Sequence, residues 1–110
     1  MAGTHEDAML MVELAKLGVM MDLGEASRAL FGDQFDPDSV EVSDPHVQAT
    51  LNFFETVGTL VKNGLLNRDL VNDWVWTAGA WAKVGPAAMR AREKTGSTAL
   101  YENFEALAAG

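Results

Sequence analysis

Cysteine is absent from this 110-residue chain. That excludes disulfides, thiolate nucleophiles and cysteine metal sites, and it suits a reducing cytoplasm. Positive charge is scarce: eight lysines and arginines face sixteen aspartates and glutamates, leaving a formal charge of −8. A surface of that sign repels phosphate backbones and anionic lipid headgroups, so neither nucleic acid nor a membrane is an expected partner. Long apolar runs are missing too. The richest, Ala8 to Met21, is interrupted by Glu13 and Lys16 and falls short of the ~20 residues a membrane span needs. Ahead of it stand Glu6 and Asp7, where a secretory leader would carry basic residues. The expectation is a soluble, cytoplasmic protein.

Histidine is equally sparse. His5 and His46 are isolated, and no His-x₃-His or Glu-x-x-His spacing exists, so a bundle metal site is not expected. Asp36 and Asp38 open like a calcium loop, but the sixth position is Glu41 and the twelfth is Val47. An EF-hand needs glycine and a bidentate glutamate there. The sequence thus offers no catalytic residue, no metal ligand set and no cofactor motif, and the expectation is that the chain is not an enzyme.

What the chain does have is apolar periodicity. Thr4 reads as an N-cap, with Leu10, Leu14, Leu17 and Met21 on one face of a first helix. A short helix over Glu25–Phe31 follows and stops at Gly32. Residues 32–44, GDQFDPDSVEVSD, hold five acidic groups and no basic one. They read as an ordered loop with Phe35 and Val40 packed down. Asp44-Pro45 is a strong helix start, and that helix should reach Asn63. Val47, Leu51, Phe53, Phe54, Val57, Gly58, Leu60 and Val61 cover about half its circumference, wider than a one-sided surface helix. Neighbours must therefore touch it on two sides, leaving Gln48, Asn52, Thr56, Thr59, Lys62 and Asn63 wet.

Asn67 caps the next helix, Arg68–Val84, which a short loop should fold back as an antiparallel neighbour. Gly85-Pro86 reads as a stop and restart, giving a helix from Pro86 to about Lys94. After Thr95-Gly96-Ser97, Ser97 or Thr98 should cap a last helix buried through Leu100, Tyr101, Phe104, Leu107 and Ala108. The expected fold is one all-α domain over residues 1–110, a compact bundle of about five helices around a central helical hairpin: 1–31 N-terminal helices, 32–44 acidic loop, 45–110 hairpin and C-terminal helices.

Three segments carry a resemblance: LNFFETVGTLVKNGLLNRDLV, the tryptophan-rich helix after it, and the closing LYENFEAL. Together, over about residues 47–107, they resemble a bacterial family known as domain of unknown function number 4760. Some members carry a transmembrane anchor before the helical domain, so this chain looks like a soluble version. The resemblance implies a helical fold, assigns no chemistry, and marks Asn52, Glu55, Tyr101, Asn103 and Glu105 as the polar residues of interest.

If the last helix packs beside the central one, these five can meet. A polar pocket for acid–base work is one reading; an interhelical hydrogen-bond network is the plainer one, since neither histidine lies near them in sequence. A DNA-reading helix-turn-helix is rejected, because Arg68 and Lys83 are the second helix's only cations against Asp69 and Asp73. The sharper feature is Trp76. On a continuous helix it falls opposite Leu70, Trp74, Ala78 and Trp81. Met9, Val12, Val19 and Met20 likewise lie off the leucine stripe of the first helix. Either other parts of the chain cover these residues or they contact a partner. The candidate interface is therefore Met9, Val12, Met20 and Trp76. The expected function is a non-enzymatic protein–protein interaction domain whose partner is another protein or a second copy in a homodimer. The alternative is a small-molecule-binding protein with its pocket between the central and C-terminal helices.

Overall fold

The Asp44 carboxylate accepts the backbone N–H groups of His46 (2.9 Å) and Val47 (3.2 Å), and Pro45 occupies the first helical position, where no N–H is needed. This start launches the central helix. A computed structural model describes residues 3–110. Among them the regular elements are six helices: α1 (His5–Met20), α2 (Leu23–Leu30), α3 (Pro45–Lys62), α4 (Arg68–Trp74), α5 (Thr77–Thr95) and α6 (Glu102–Ala109). The class is all-α, with one helix more than the sequence suggested.

α3 is sandwiched. It buries Val47, Thr50, Leu51, Phe53, Phe54, Val57 and Gly58 against α6 and α2 as principal neighbours, with α5 adding a smaller contact. An aromatic chain threads the core across four helices. Trp74 meets Phe53 edge-on, Phe53 meets Phe54, Phe54 stacks on Phe104 at 4.9 Å, and Trp81 abuts Phe104 at 5.0 Å. Each such pair adds about 0.5–1.5 kcal/mol beyond area burial.

The expected central hairpin needs correcting. α4 ends at Trp74, Val75 turns extended (φ −133°, ψ 150°), and α5 begins at Thr77. Val75, Trp76 and Thr77 are consecutive β-branched or aromatic residues, all weak helix formers. The single rod from Arg68 to Val84 therefore breaks there, and the helix that follows α3 in sequence is not among its main neighbours.

The stop expected at Gly85-Pro86 is also absent. α5 runs through both residues, although Pro86 has no N–H for the Ala82 carbonyl. A residue before proline is normally driven from helical geometry because its Cβ meets the ring. Gly85 has no Cβ. The Trp81 indole uses the same space, its atoms lying 2.9–3.1 Å from where a Cβ would stand.

α6 starts three or four residues later than a Thr98 or Ser97 cap would place it. Leu100 precedes the helix, and Tyr101 is its N-cap in the left-handed region (φ 60°) with no capping side-chain bond of its own. The acidic loop is held from α5: Arg90 Nη2 donates to the carbonyls of Pro37 (3.1 Å) and Val40 (2.6 Å). Phe35, Val40 and Val42 pack against the core.

α1 is the outlier. A Thr4–Asp7 capping box starts it, yet it fully buries only Leu14 and Gly18 and packs chiefly on α2. Asp7 ties its first turn down by accepting the Asn67 N–H at 2.9 Å.

Candidate functional site

The α3–α6 seam gathers part of the polar set. Glu55, on α3, points its Oε1 at the first turn of α6 and accepts the Phe104 N–H at 2.9 Å. It thus supplies the cap that Tyr101 does not. One turn on, Asn103 Nδ2 donates to Thr59 Oγ1 at 3.1 Å. Between these two bonds the helices touch backbone to backbone, because a Cβ on Gly58 would overlap the Asn103 carbonyl. Glu105 faces the other way and pairs with Arg92 Nη1 at 2.9 Å, while Arg92 Nε donates to the Leu100 carbonyl at 2.8 Å. Asn52 stands apart: its amide reaches only Gln48 on its own helix, at 3.4 Å. Tyr101 packs its ring against the core.

Glu55 and Asn103 are therefore brought to one seam, Glu105 to a neighbouring one, and Asn52 to neither. Their geometry suits holding α6 in place. The carboxylate that general acid–base work would require is engaged by a backbone amide. At Gly58 the seam is closed, leaving no ligand-sized space there.

The ligand-sized hollow lies elsewhere. Leu23, Gly24, Ser27, Leu30 and Phe31 of the α2 region, Thr50 and Phe54 of α3, and Val75, Trp76 and Ala80 enclose an apolar groove of about 510 Å³. Its only polar side chains are two hydroxyls, and the Thr50 hydroxyl already donates to the His46 carbonyl at 2.8 Å. Trp76 forms one lip. Its side chain is 71% exposed but not loose. One face stacks on Phe31 (centroids 5.8 Å, 19° between planes), and the ring lies across Gly79, where any Cβ would collide with it. Lys83 Nζ sits 5.5 Å from the Phe31 ring centre.

A second hollow of about 260 Å³ adjoins the groove and shares Leu23, Gly24 and Val75 with it. Ala15, Gly18 and Val19 of α1 line its far side. Val19 and Met20 are the most exposed large apolar residues, at 78% and 82%, with Met9 and Val12 also exposed along α1. Of these α1 residues Val19 alone lines the second hollow, so it is linked to the Trp76 groove through Leu23 and Val75 in one apolar band, while Met9, Val12 and Met20 line neither hollow.

That reasoning missed Leu23, Gly24, Phe31 and Gly79. A signal for Gly79 existed: a glycine three residues after an off-stripe tryptophan is a seat for its ring. Phe31 gave none, because its partner lies 45 positions away in sequence. Among the described residues no group of three or more histidines, aspartates or glutamates is arranged to hold a metal. The Asp36 carboxylate is engaged by the Asp38 N–H and the Ser39 hydroxyl. No described helix is long and apolar enough to cross a membrane.

No curated protein and no solved structure matches the chain. The motifs of α3 and α6 extend into a match that also takes in α1, α2 and the acidic loop: the model of the family described as domain of unknown function (DUF4760) covers residues 6–110, and the chain belongs to that family.

Proposed function

We propose that the chain is a non-catalytic protein-interaction domain of the bacterial cytoplasm, which engages another protein, or a second copy of itself, through the apolar band centred on Trp76. One observation carries this reading: Trp76 is 71% exposed while its ring rests against Phe31 and over Gly79. Tryptophan is enriched at interface hot spots, and a side chain already held in place loses little freedom on binding. Exposed apolar surface that continues to Val19 is of the kind that marks contact sites. Family membership assigns no activity to weigh against it.

The test is a photo-crosslinking amino acid placed at position 76 in cells, with exposed Glu6 as the control position. Adducts that form from 76 and not from 6 support the reading, and an adduct of twice the chain mass identifies a second copy. No adduct at 76 overturns it. The alternative, a small-molecule-binding protein, draws support from the groove's volume, which lies within the usual range for ligand pockets. A thermal-shift screen separates the two, because a ligand at a hundred times its Kd stabilises by about 2.7 kcal/mol.

A further inference from the structure

The shape and charge of the same band narrow what it receives. The two hollows lie on either side of a ridge formed by Leu23 and Val75. Two apolar depressions at neighbouring stations match the anchor side chains that an amphipathic helix presents on one face. A strand has nothing to join, since the described residues contain no sheet edge.

The flanks are acidic. Glu13, Asp22, Glu25, Asp33, Glu55 and Asp73 each lie within two residues of a lining residue, against Lys16 and Arg28. Glu13 pairs with Lys16 at 3.2 Å and Glu25 with Arg28 at 2.9 Å, and Glu55 is engaged by the Phe104 N–H. Asp22, Asp33 and Asp73 take part in none of the ion pairs among the described residues. A second copy fits this rim poorly. Its most exposed apolar helix, α1, brings Glu6, Asp7 and Glu13 against Lys16 alone, and each chain carries −8. Like charges set face to face oppose docking.

Resting on the interaction reading above, we infer that the occupant is a basic amphipathic helix of a different protein. It lays two or more large apolar side chains across the Leu23–Val75 ridge, against Trp76 and Val19, with lysines and arginines facing Asp22, Asp33 and Asp73.

The experiment is selection from a displayed library of helical peptides. Apolar residues are randomised at i, i+3, i+4 and i+7, and the polar face is drawn equally from Lys, Arg, Glu, Asp, Gln and Ser. The targets are wild type, Trp76→Glu and the double variant Asp22→Lys/Asp73→Lys, each confirmed folded by circular dichroism. Selection on wild type is expected to enrich peptides with a basic polar face. Trp76→Glu keeps the acidic rim, so loss of the same peptides there assigns the contact to the apolar lip. The charge-reversed double variant should bind them roughly tenfold more weakly, with the salt dependence reduced. Enrichment of neutral or acidic faces, recovery of no binder, or undiminished binding to Trp76→Glu overturns the inference. Crosslinks from position 76 combined with any of those failures would leave the interaction reading standing and remove only the basic helix.

Discussion

Replacing Gly58 by alanine should destabilise the protein, although alanine is the better helix former. The added methyl group lands on the Asn103 carbonyl, and the Phe104 nitrogen lies 3.1 Å from the same point. Neither can withdraw alone. Phe104 is wholly buried, its ring is held between Phe54 and Trp81, and its N–H is bound by Glu55. Relief therefore requires α6 to move away from α3, stretching the seam on both sides of the contact. Overpacking of this kind costs about 1–3 kcal/mol, and an immobile backbone neighbour argues for the upper end. Helix propensity returns about 1 kcal/mol, leaving a net loss of about 2 kcal/mol. For a domain of this size that lowers Tm by roughly 8–12 °C. Gly24→Ala is the internal control. It is also helical, but it lies in the first turn of α2 and its new methyl would meet only Arg28 Nη1 at 3.9 Å, so it should gain a smaller share of the interior value, about 0.5 kcal/mol. Urea and thermal unfolding followed by circular dichroism measure both. A Gly58→Ala protein as stable as wild type, or more so, would refute the claim that the two backbones touch here.

Two further outcomes follow from the caps. Glu55→Ala should cost about 1–2 kcal/mol and should accelerate hydrogen exchange at the Phe104 amide before other α6 amides; unchanged protection at that amide would contradict the assigned bond. The Thr4 backbone N–H, then the Thr4 hydroxyl, with the Asn67 N–H contributing less, hold the Asp7 carboxyl below its ordinary value near 3.8. Because the folded value is depressed, the stabilisation is complete above the ordinary value and disappears as pH falls through the folded one. The stability difference between wild type and Asp7→Asn should therefore be constant near neutrality and shrink on acidification below about pH 4; a difference that grows there would invert the assignment.

Local chemistry made much of this fold legible. Asp44-Pro45 and the Asn63-Gly64 end bracket α3 to within a residue, because cap, proline and glycine each act through their own backbone. The width of the apolar arc on α3 foretold neighbours on two flanks. What escaped depends on partners remote in sequence. The start of α6 is set by Glu55, 49 residues upstream, so no local cap at Ser97 or Thr98 could mark it. The break after Trp74 hides from a helical wheel, which assumes the continuity that the break destroys. Gly85-Pro86 carries the letters of a stop, and the absent Cβ removes one obstacle to continuing the helix. Of the candidate site, the exposed α1 residues stand out by their place off the leucine stripe, whereas the wheel that singled out Trp76 assumed a rod that ends at Trp74, and its exposure comes from the break itself. The groove could not be picked out, since it is the tertiary approach of α2 to Val75 and Trp76 that creates it.

The vacancy at position 85 is filled by the Trp81 indole, and the next residue is Pro86, which disfavours helical geometry for a preceding residue that carries a Cβ. A change at either neighbour therefore cannot free the position. With a smaller residue at 81, a new side chain is still disfavoured in helical geometry by the proline after it; with proline replaced at 86, it still meets the indole. A single missing methyl group thereby binds three positions into one inherited unit.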